Sequence, residues 1–248
     1  MKGTTMRILL ILALLAASVA AETVTLDSAT ILDTRMNTDG ATNNYGISIT
    51  VAAELTSLSQ RPGYIMQFDL SAITGTVDVS SVVCSLRTFS SSSDTNDAYI
   101  MVISTPWTEG VKDGAAVSSG NSGATWEYAT DFYSGEGTDV AWESGASFGY
   151  ADYDTIPVDT ILNVPMGWQW LVFDGAGLNQ VVEDAINGTS EVASFAVGIL
   201  GSAERYIRTS EHTTATDQPK VVITYTAGAP AATGNIIRKG TIRKGTIR

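Results

Sequence analysis

Aromatic side chains crowd one stretch of the chain: Trp126, Tyr128, Phe132, Tyr133, Trp142, Phe148, Tyr150 and Tyr153. Rings of this kind stack on the C–H faces of sugars, while amides and carboxylates bond the hydroxyls. Trp142, Tyr150 and Tyr153 sit among Gly, Ser and Asp without an apolar periodic partner, which makes them the preferred stacking residues, with Trp126 and Tyr133 beside them. Burial in the core or under a loop is the competing account of each ring.

The same region carries Glu109, Asp113, Glu127, Asp131, Glu136, Asp139, Glu143, Asp152, Asp154 and Asp159. Two carboxylates at a suitable separation are enough for a glycosidase. An acidic chain places carboxylates in loops without any mechanism, however, and other catalytic signals are absent. The single histidine, His212, lies in the polar run Ser210-Glu211-His212-Thr213-Thr214 and reads as a loop-surface residue. No Gly-x-Ser-x-Gly elbow, His-Glu-x-x-His helix or phosphate-binding glycine loop occurs. No residue is therefore assigned a catalytic role, and the chain is not expected to be an enzyme; a polysaccharide hydrolase or lyase is the lesser alternative.

Calcium is the cofactor to consider, since it takes oxygen ligands from carboxylates, amides and backbone. Asp94-Thr95-Asn96-Asp97 and Asp152-Tyr153-Asp154 place oxygen donors at close spacing, so Asp94, Asp97, Asp152 and Asp154 are the candidates for a structural Ca2+. Neither segment matches an EF-hand loop, and turn formation explains Asp and Asn there equally well. Asp69 and Asp174 follow Phe at strand ends and read as backbone caps.

The formal charge of −12 hides an uneven distribution. Lys2 and Arg7 precede an apolar run from Ile8 to Ala17, and Arg238, Lys239, Arg243, Lys244 and Arg248 fall in the last positions. Seven basic residues remain in the body beside all 26 acidic ones. Nucleic acid and anionic membrane demand basic surface, so neither is an expected partner. The basic start, the apolar run of about ten residues and the small residues Ser18-Val19-Ala20-Ala21 have the form of a secretory signal peptide over residues 1–21. A secreted, extracellular or cell-surface location follows. The apolar run is shorter than the roughly 20 residues of a membrane span. Cys84, the only cysteine, sits in the alternating stretch Val82-Val83-Cys84-Ser85-Leu86 and reads as buried.

Those side chains need a scaffold, and the chain spells one out in short β segments separated by Gly, Asn, Asp and Ser. Strands are predicted at 23–26, 29–32, 47–51, 64–68, 82–87, 98–103, 194–200, 205–208 and 220–225. One helix is predicted at 178–186, where Leu178, Val181, Val182, Ala185 and Ile186 form an apolar face and Asn187-Gly188 supplies the stop. The region from about 107 to 166 reads as long loops with a few short strands. The fold class is all-β: a jelly-roll β-sandwich with one short helix late in the chain, over residues 22–226. From 227 to 248 follow a small-residue linker and two copies of Lys-Gly-Thr-Ile-Arg. Asn187-Gly188-Thr189 is a glycosylation sequon.

In order and spacing, the chain resembles the DNRLRE-type domains, grouped with carbohydrate-binding module family 96 and disaggregatase-related domains. The resemblance runs through Asp27-Ser28-Ala29-Thr30-Ile31, Asn43-Asn44-Tyr45-Gly46, Gln67-Phe68-Asp69-Leu70-Ser71-Ala72-Ile73, the strand from Val79 to Leu86, and Pro106-Trp107-Thr108-Glu109. It continues through Ala124-Thr125-Trp126, Trp170-Leu171-Val172-Phe173-Asp174, Arg208-Thr209-Ser210-Glu211 and Pro219 to Tyr225. It implies a jelly-roll sandwich on exported proteins, some members binding acidic or other polysaccharides, with Trp107, Trp170 and Phe68 in the core. Two features depart from it: Gln218-Pro219 replaces the usual Arg-Pro, and residues 135–159 form a longer segment than the family's.

Two functions remain in competition. The first is an exported non-catalytic polysaccharide-binding module whose partner is a polysaccharide or cell-surface glycan. The second is a structural surface or filament subunit that self-associates through its sandwich and its basic tail. The tail itself is a solvated end, an electrostatic arm toward an acidic surface, or a strand donated to a partner's sheet.

Overall fold

The computed structural model describes residues 20–228 except 37–41, 47, 56–62, 91–95, 113, 117–121, 126, 132–136, 144–147, 150, 166, 189 and 201–204, and every structural statement below concerns the described residues. The signal-like segment to residue 19, Asp94, Trp126, Tyr133, Tyr150, Thr189 and the basic tail lie outside them.

In chain order the strands are β1 (Ala21–Leu26), β2 (Ile31–Arg35), β3 (Asn43–Asn44), β4 (Thr50–Ala52), β5 (Glu54–Leu55), β6 (Tyr64–Asp69), β7 (Val77–Ser90) and β8 (Asn96–Val102). They continue as β9 (Ala115–Ala116), β10 (Tyr128–Thr130), β11 (Val140–Ala141), β12 (Asp159–Val164), β13 (Gly167–Phe173), β14 (Val192–Leu200), β15 (Arg205–Arg208) and β16 (Lys220–Ala227). A single described α-helix, α1 (Ala176–Asn187), precedes β14. The first sheet runs β1-β16-β7-β15-β4, with β13 on the other edge of β7. The second runs β12-β8-β14-β6-β2, with β5 paired parallel to β14. The remaining pairings are antiparallel, including the small ribbons β3-β9 and β10-β11.

Alternation places one side of each strand in the core between the sheets. Val82, Cys84 and Leu86 of β7 meet Met66 and Phe68 of β6 and Phe195 and Val197 of β14 in one buried cluster. A bulge opposite Thr224 and Tyr225 resets the alternation of β7, so Val79 and Val82 both turn inward. Phe68 and Phe195 pack with ring centroids 4.9 Å apart. The all-β sandwich with one late helix is thus the observed fold.

Helix α1 buries Leu178, Val182 and Ile186 against that core. A second stripe of the helix, at four-residue spacing, serves the half of β7 that β13 does not reach. Asn179, Glu183 and Asn187 accept the N–H groups of Val82, Val79 and Val77 at 2.6, 2.8 and 2.8 Å. The helix thereby replaces a neighbouring strand and covers an exposed sheet edge.

The described strands in the middle of the chain are short, and many of its described residues are packed. Met36, Ile65, Tyr99, Met101, Ile103, Trp107, Ala124, Ala129, Trp142, Phe148, Tyr153 and Ala196 form a second buried cluster. Ile65, Met101 and Ala196 come from the outer face of the second sheet, so the long connection between β8 and β12 is a third layer laid over it. Asn44 pins this layer. Its Nδ2 donates to Ala124 O at 2.8 Å, and its Oδ1 accepts from Gly46 N and Lys112 N at 3.1 Å each.

Candidate functional site

No described residue forms such a cover on the outer face of β13, and a set of aromatic and cationic side chains is displayed there. β13 leaves a tight connection in which Asn163 (φ 56°) and Gly167 (φ 83°) adopt left-handed backbone, favoured by those residue types. The buried guanidinium of Arg205 fixes this turn, donating from Nη2 to Val164 O at 2.7 Å and from Nη1 to Pro165 O at 3.1 Å. Leu171 and Phe173 then enter the core, which turns Trp168, Trp170 and Val172 outward. Trp168 is 41% exposed and Trp170 42%.

Cross-strand register sets what lies beside them. Trp170 is opposite Arg87 and Trp168 is opposite Phe89 on β7, while Tyr206 of β15 faces Phe89 from the other side. The Phe89 and Trp168 centroids are 4.9 Å apart. The Arg87 guanidinium carbon lies 5.4 Å from the Trp168 centroid and 5.5 Å from that of Trp170, and Arg208 lies 4.4 Å from Trp168. Arg208 also donates to Thr50 Oγ1 at 3.0 Å. Each exposed cation–π contact contributes about 0.5–1 kcal/mol, enough to hold a flexible arginine in one place. The result is an interleaved Trp–Arg surface in which the guanidinium groups lie against the rings and both tryptophans stay partly exposed.

A cleft of about 540 Å³ continues from it, lined among others by Trp170, Ser85, Lys220, Asp27 and Gln218. Arg87, Arg208 and Lys220 are three of the seven basic residues in the acidic body. Rings for C–H faces, guanidinium forks for carboxylates or sulfates, and hydroxyl and amide groups for sugar hydroxyls are therefore contiguous here.

A second cluster lies at one end of the sandwich. Asp33 on β2, Glu109 in the covering layer and Glu211 in the turn after β15 place one carboxylate oxygen each within 4.8 Å of one another. Asp33 is fully buried; its Oδ2 accepts from Ser210 N at 2.7 Å and Tyr64 Oη at 3.1 Å, while its Oδ1 has no hydrogen-bond partner. Glu109 Oε1 accepts the Asp33 N–H at 2.6 Å, and Ser210 Oγ donates to Glu211 Oε2 at 2.6 Å. Burial above all, then the Glu211 charge, pushes Asp33 up to about 8. Burial likewise pushes Glu109 up to about 8 and raises Glu211. This is the only described group of three or more carboxylate, His or Cys ligands close enough to share a metal ion.

Several sequence expectations are corrected. Trp142 is 1% exposed and Tyr153 3%, so neither presents a face to a sugar. Trp142 packs edge-on against Phe148 at 4.8 Å and donates Nε1–H to Thr125 O at 3.0 Å, because the covering layer folds these rings onto the second sheet. Trp170, expected in the core beside Trp107, is half-exposed, whereas Trp107 and Phe68 are buried. His212 is buried in its turn rather than lying on the surface; its Nδ1 accepts from Thr214 N at 3.2 Å.

Of the oxygen donors considered for calcium, the described Asp97, Asp152 and Asp154 accept local hydrogen bonds. Asp97 accepts from Asn163 N and Tyr99 Oη, and Asp154 from Ile156 N. Asp152 is buried and accepts from Thr105 Oγ1, Glu143 N and Gly149 N. Asp69 caps its strand end through Ser71 N, but at 174–175 the capping carboxylate is Asp159, which accepts both N–H groups. Cys84 is buried as expected, and burial pushes its thiol up to about 12. Asn187 is engaged through its side-chain amide, with Nδ2 donating to Val77 O at 2.9 Å.

Sequence reasoning missed Trp168, Arg87, Phe89, Tyr206 and Arg208. The available signal was Trp168-x-Trp170-x-Val172, one face of a strand, but the opposite face carries Leu171 and Phe173, so periodicity alone does not say which side meets water. No helix among the described residues is long and apolar enough to cross a membrane. No protein-family model matches the chain, and no curated protein matches it.

Proposed function

We propose that this protein is an exported, non-catalytic module that binds polysaccharide across the outer face of its first sheet, with acidic sugars preferred. The observation that carries the reading is the half-exposed pair Trp168 and Trp170 with the Arg87 guanidinium set between them. Rings two residues apart on a strand repeat every 6.6–6.8 Å or so along one face, a linear platform suited to a linear polymer. Arginine forks recognise carboxylate and sulfate with two parallel hydrogen bonds, and the surrounding acidic body makes a cationic strip selective for where such a polymer lies. The resemblance to DNRLRE-type domains and carbohydrate-binding module family 96 supports the same class of ligand.

The test is a glycan array spanning uronate-bearing, sulfated and neutral polysaccharides, probed with the mature protein and a Trp168→Ala/Trp170→Ala variant. Binding weighted toward acidic glycans, and weakened at least about tenfold in the variant, is expected. Flat binding, or equal binding by both proteins, overturns the reading. Sedimentation that shows self-association lost in the same variant would assign this face to contacts between copies.

A further inference from the structure

We propose that Asp33, Glu109 and Glu211 form a calcium site that ties the covering layer and the turn after β15 to the sandwich. Three carboxylates from β2, the layer and the turn converge with oxygens within 4.8 Å of one another. Ligand oxygens on opposite sides of a Ca2+ ion, each about 2.4 Å from it, stand about 4.8 Å apart, so a shared ion fits the span. The donor set is all oxygen, which selects hard cations over zinc or copper.

An independent observation points to a missing partner. Asp33 is fully buried, yet its Oδ1 accepts no hydrogen bond from the described residues, although Oδ2 of the same carboxylate takes two. A buried carboxylate oxygen left without a partner is costly, and native structures rarely retain one. The described donors to this carboxylate are the Ser210 N–H and the Tyr64 hydroxyl, both on Oδ2. A small divalent ion held beside Glu109 and Glu211 supplies what is missing.

A catalytic pair is the competing use of such carboxylates. Asp33 has no exposed surface, so a polymer cannot reach it, whereas an ion can enter past the half-buried Glu109 and Glu211. Calcium fits better than magnesium, because side chains from three separate segments form an irregular site and calcium tolerates irregular coordination.

The mature protein, stripped with chelator, is dialysed against Ca2+ or Mg2+ at physiological salt and its bound metal measured, with melting temperature recorded in parallel. About one Ca2+ per chain is expected, together with a rise in melting temperature of about 3 °C or more. Glu211→Gln, a substitution at the half-buried mouth, should weaken Ca2+ at least about tenfold. Asp33→Asn should abolish the response while the protein stays folded, since the amide is close in size to the carboxylate and offers calcium no charged oxygen. Absence of bound Ca2+ in the wild type, equal retention of Ca2+ by Glu211→Gln, or equal retention of Mg2+ overturns the assignment. The result is independent of whether the Trp–Arg face binds sugar, because no glycan is present.

Discussion

Arg87 on β7 stands directly opposite Trp170 on β13, and its guanidinium carbon lies almost equally far from the Trp170 and Trp168 ring centres, at 5.5 and 5.4 Å. Neither tryptophan nor arginine is fixed by the core; the register of the β7–β13 pair brings them together. That register depends on Leu171 and Phe173 entering the core and on Arg205 holding the turn that precedes β13.

If Arg87 recognises anionic sugar groups, its fork matters as well as its charge. Arg87→Lys keeps the charge and loses the planar pair of donors, so binding to uronate-bearing glycan should weaken about three- to tenfold. Arg87→Met should weaken it further and flatten its salt dependence. Both variants should melt within about 2 °C of the wild type, since surface changes cost little. Titration calorimetry at two salt concentrations checks both points.

The buried carboxyls give a sign for pH dependence in metal-free protein. Asp33 and Glu109 hold their protons up to about 8 in the fold, while their ordinary values are 3.8 and 4.5. Between those limits the folded state binds more protons than the unfolded state, so stability falls as pH rises from about 4 toward about 8. Melting temperature measured in chelator should therefore drop between about pH 5 and about pH 8, and Asp33→Asn should reduce that drop. A melting temperature that rises across the same interval contradicts the protonated cluster.

Gly110 is needed for close approach rather than for an unusual backbone angle. A Cβ there would lie 2.1 Å from Asn44 Oδ1, inside the cluster of bonds that pins the covering layer. Gly110→Ala should cost about 3 kcal/mol, and Asn44→Ala, which removes a buried side chain bonded to three backbone groups, about 2–4 kcal/mol. Urea denaturation followed by tryptophan fluorescence measures both. Native-like stability in Gly110→Ala would show that the layer is not clamped at this point.

Asn187 is both the acceptor of a sequon and a structural clamp, with Oδ1 on Val77 N and Nδ2 on Val77 O. A glycan attached to Nδ2 would take one of its two hydrogens and crowd the second bond. Expression in a glycosylating host should give little occupancy at Asn187, and any glycosylated fraction should melt lower than the free form. Asn187→Ala should cost about 1–2 kcal/mol and speed amide exchange at Val77. Full occupancy with unchanged melting temperature would contradict the clamp.

Much of the sandwich is legible in the sequence because its strands carry their own period. The segments 64–68, 194–200, 205–208 and 220–225 correspond to β6, β14, β15 and β16, and the apolar stripe at Leu178, Val182 and Ile186 marks the helix. β7 is longer than its visible pattern, because the bulge near Ser80 breaks the alternation that would have announced its first half. Ala29 and Thr30 belong to a turn held by Asp27, so β2 starts later than its β-prone residues suggest. β12 and β13 are obscured by apolar residues on both faces.

The candidate sites were legible only as residue types. The sequence itself determined the β-rich architecture, the buried Cys84, the acidic body with few cations, and the supply of aromatic rings, since these follow from composition and local periodicity. Tertiary structure decided which rings are covered. Trp142 and Tyr153 disappear because distant strands of the second sheet leave an apolar outer face that the middle segment must bury. Trp168 and Trp170 remain exposed because nothing described packs over them, and Arg87 joins them only through strand register. Asp33, Glu109 and Glu211, far apart in the chain, likewise meet only when β2, the covering layer and the turn after β15 are packed together. Burial and long-range convergence are properties of the packed chain, and no local pattern of residues encodes them.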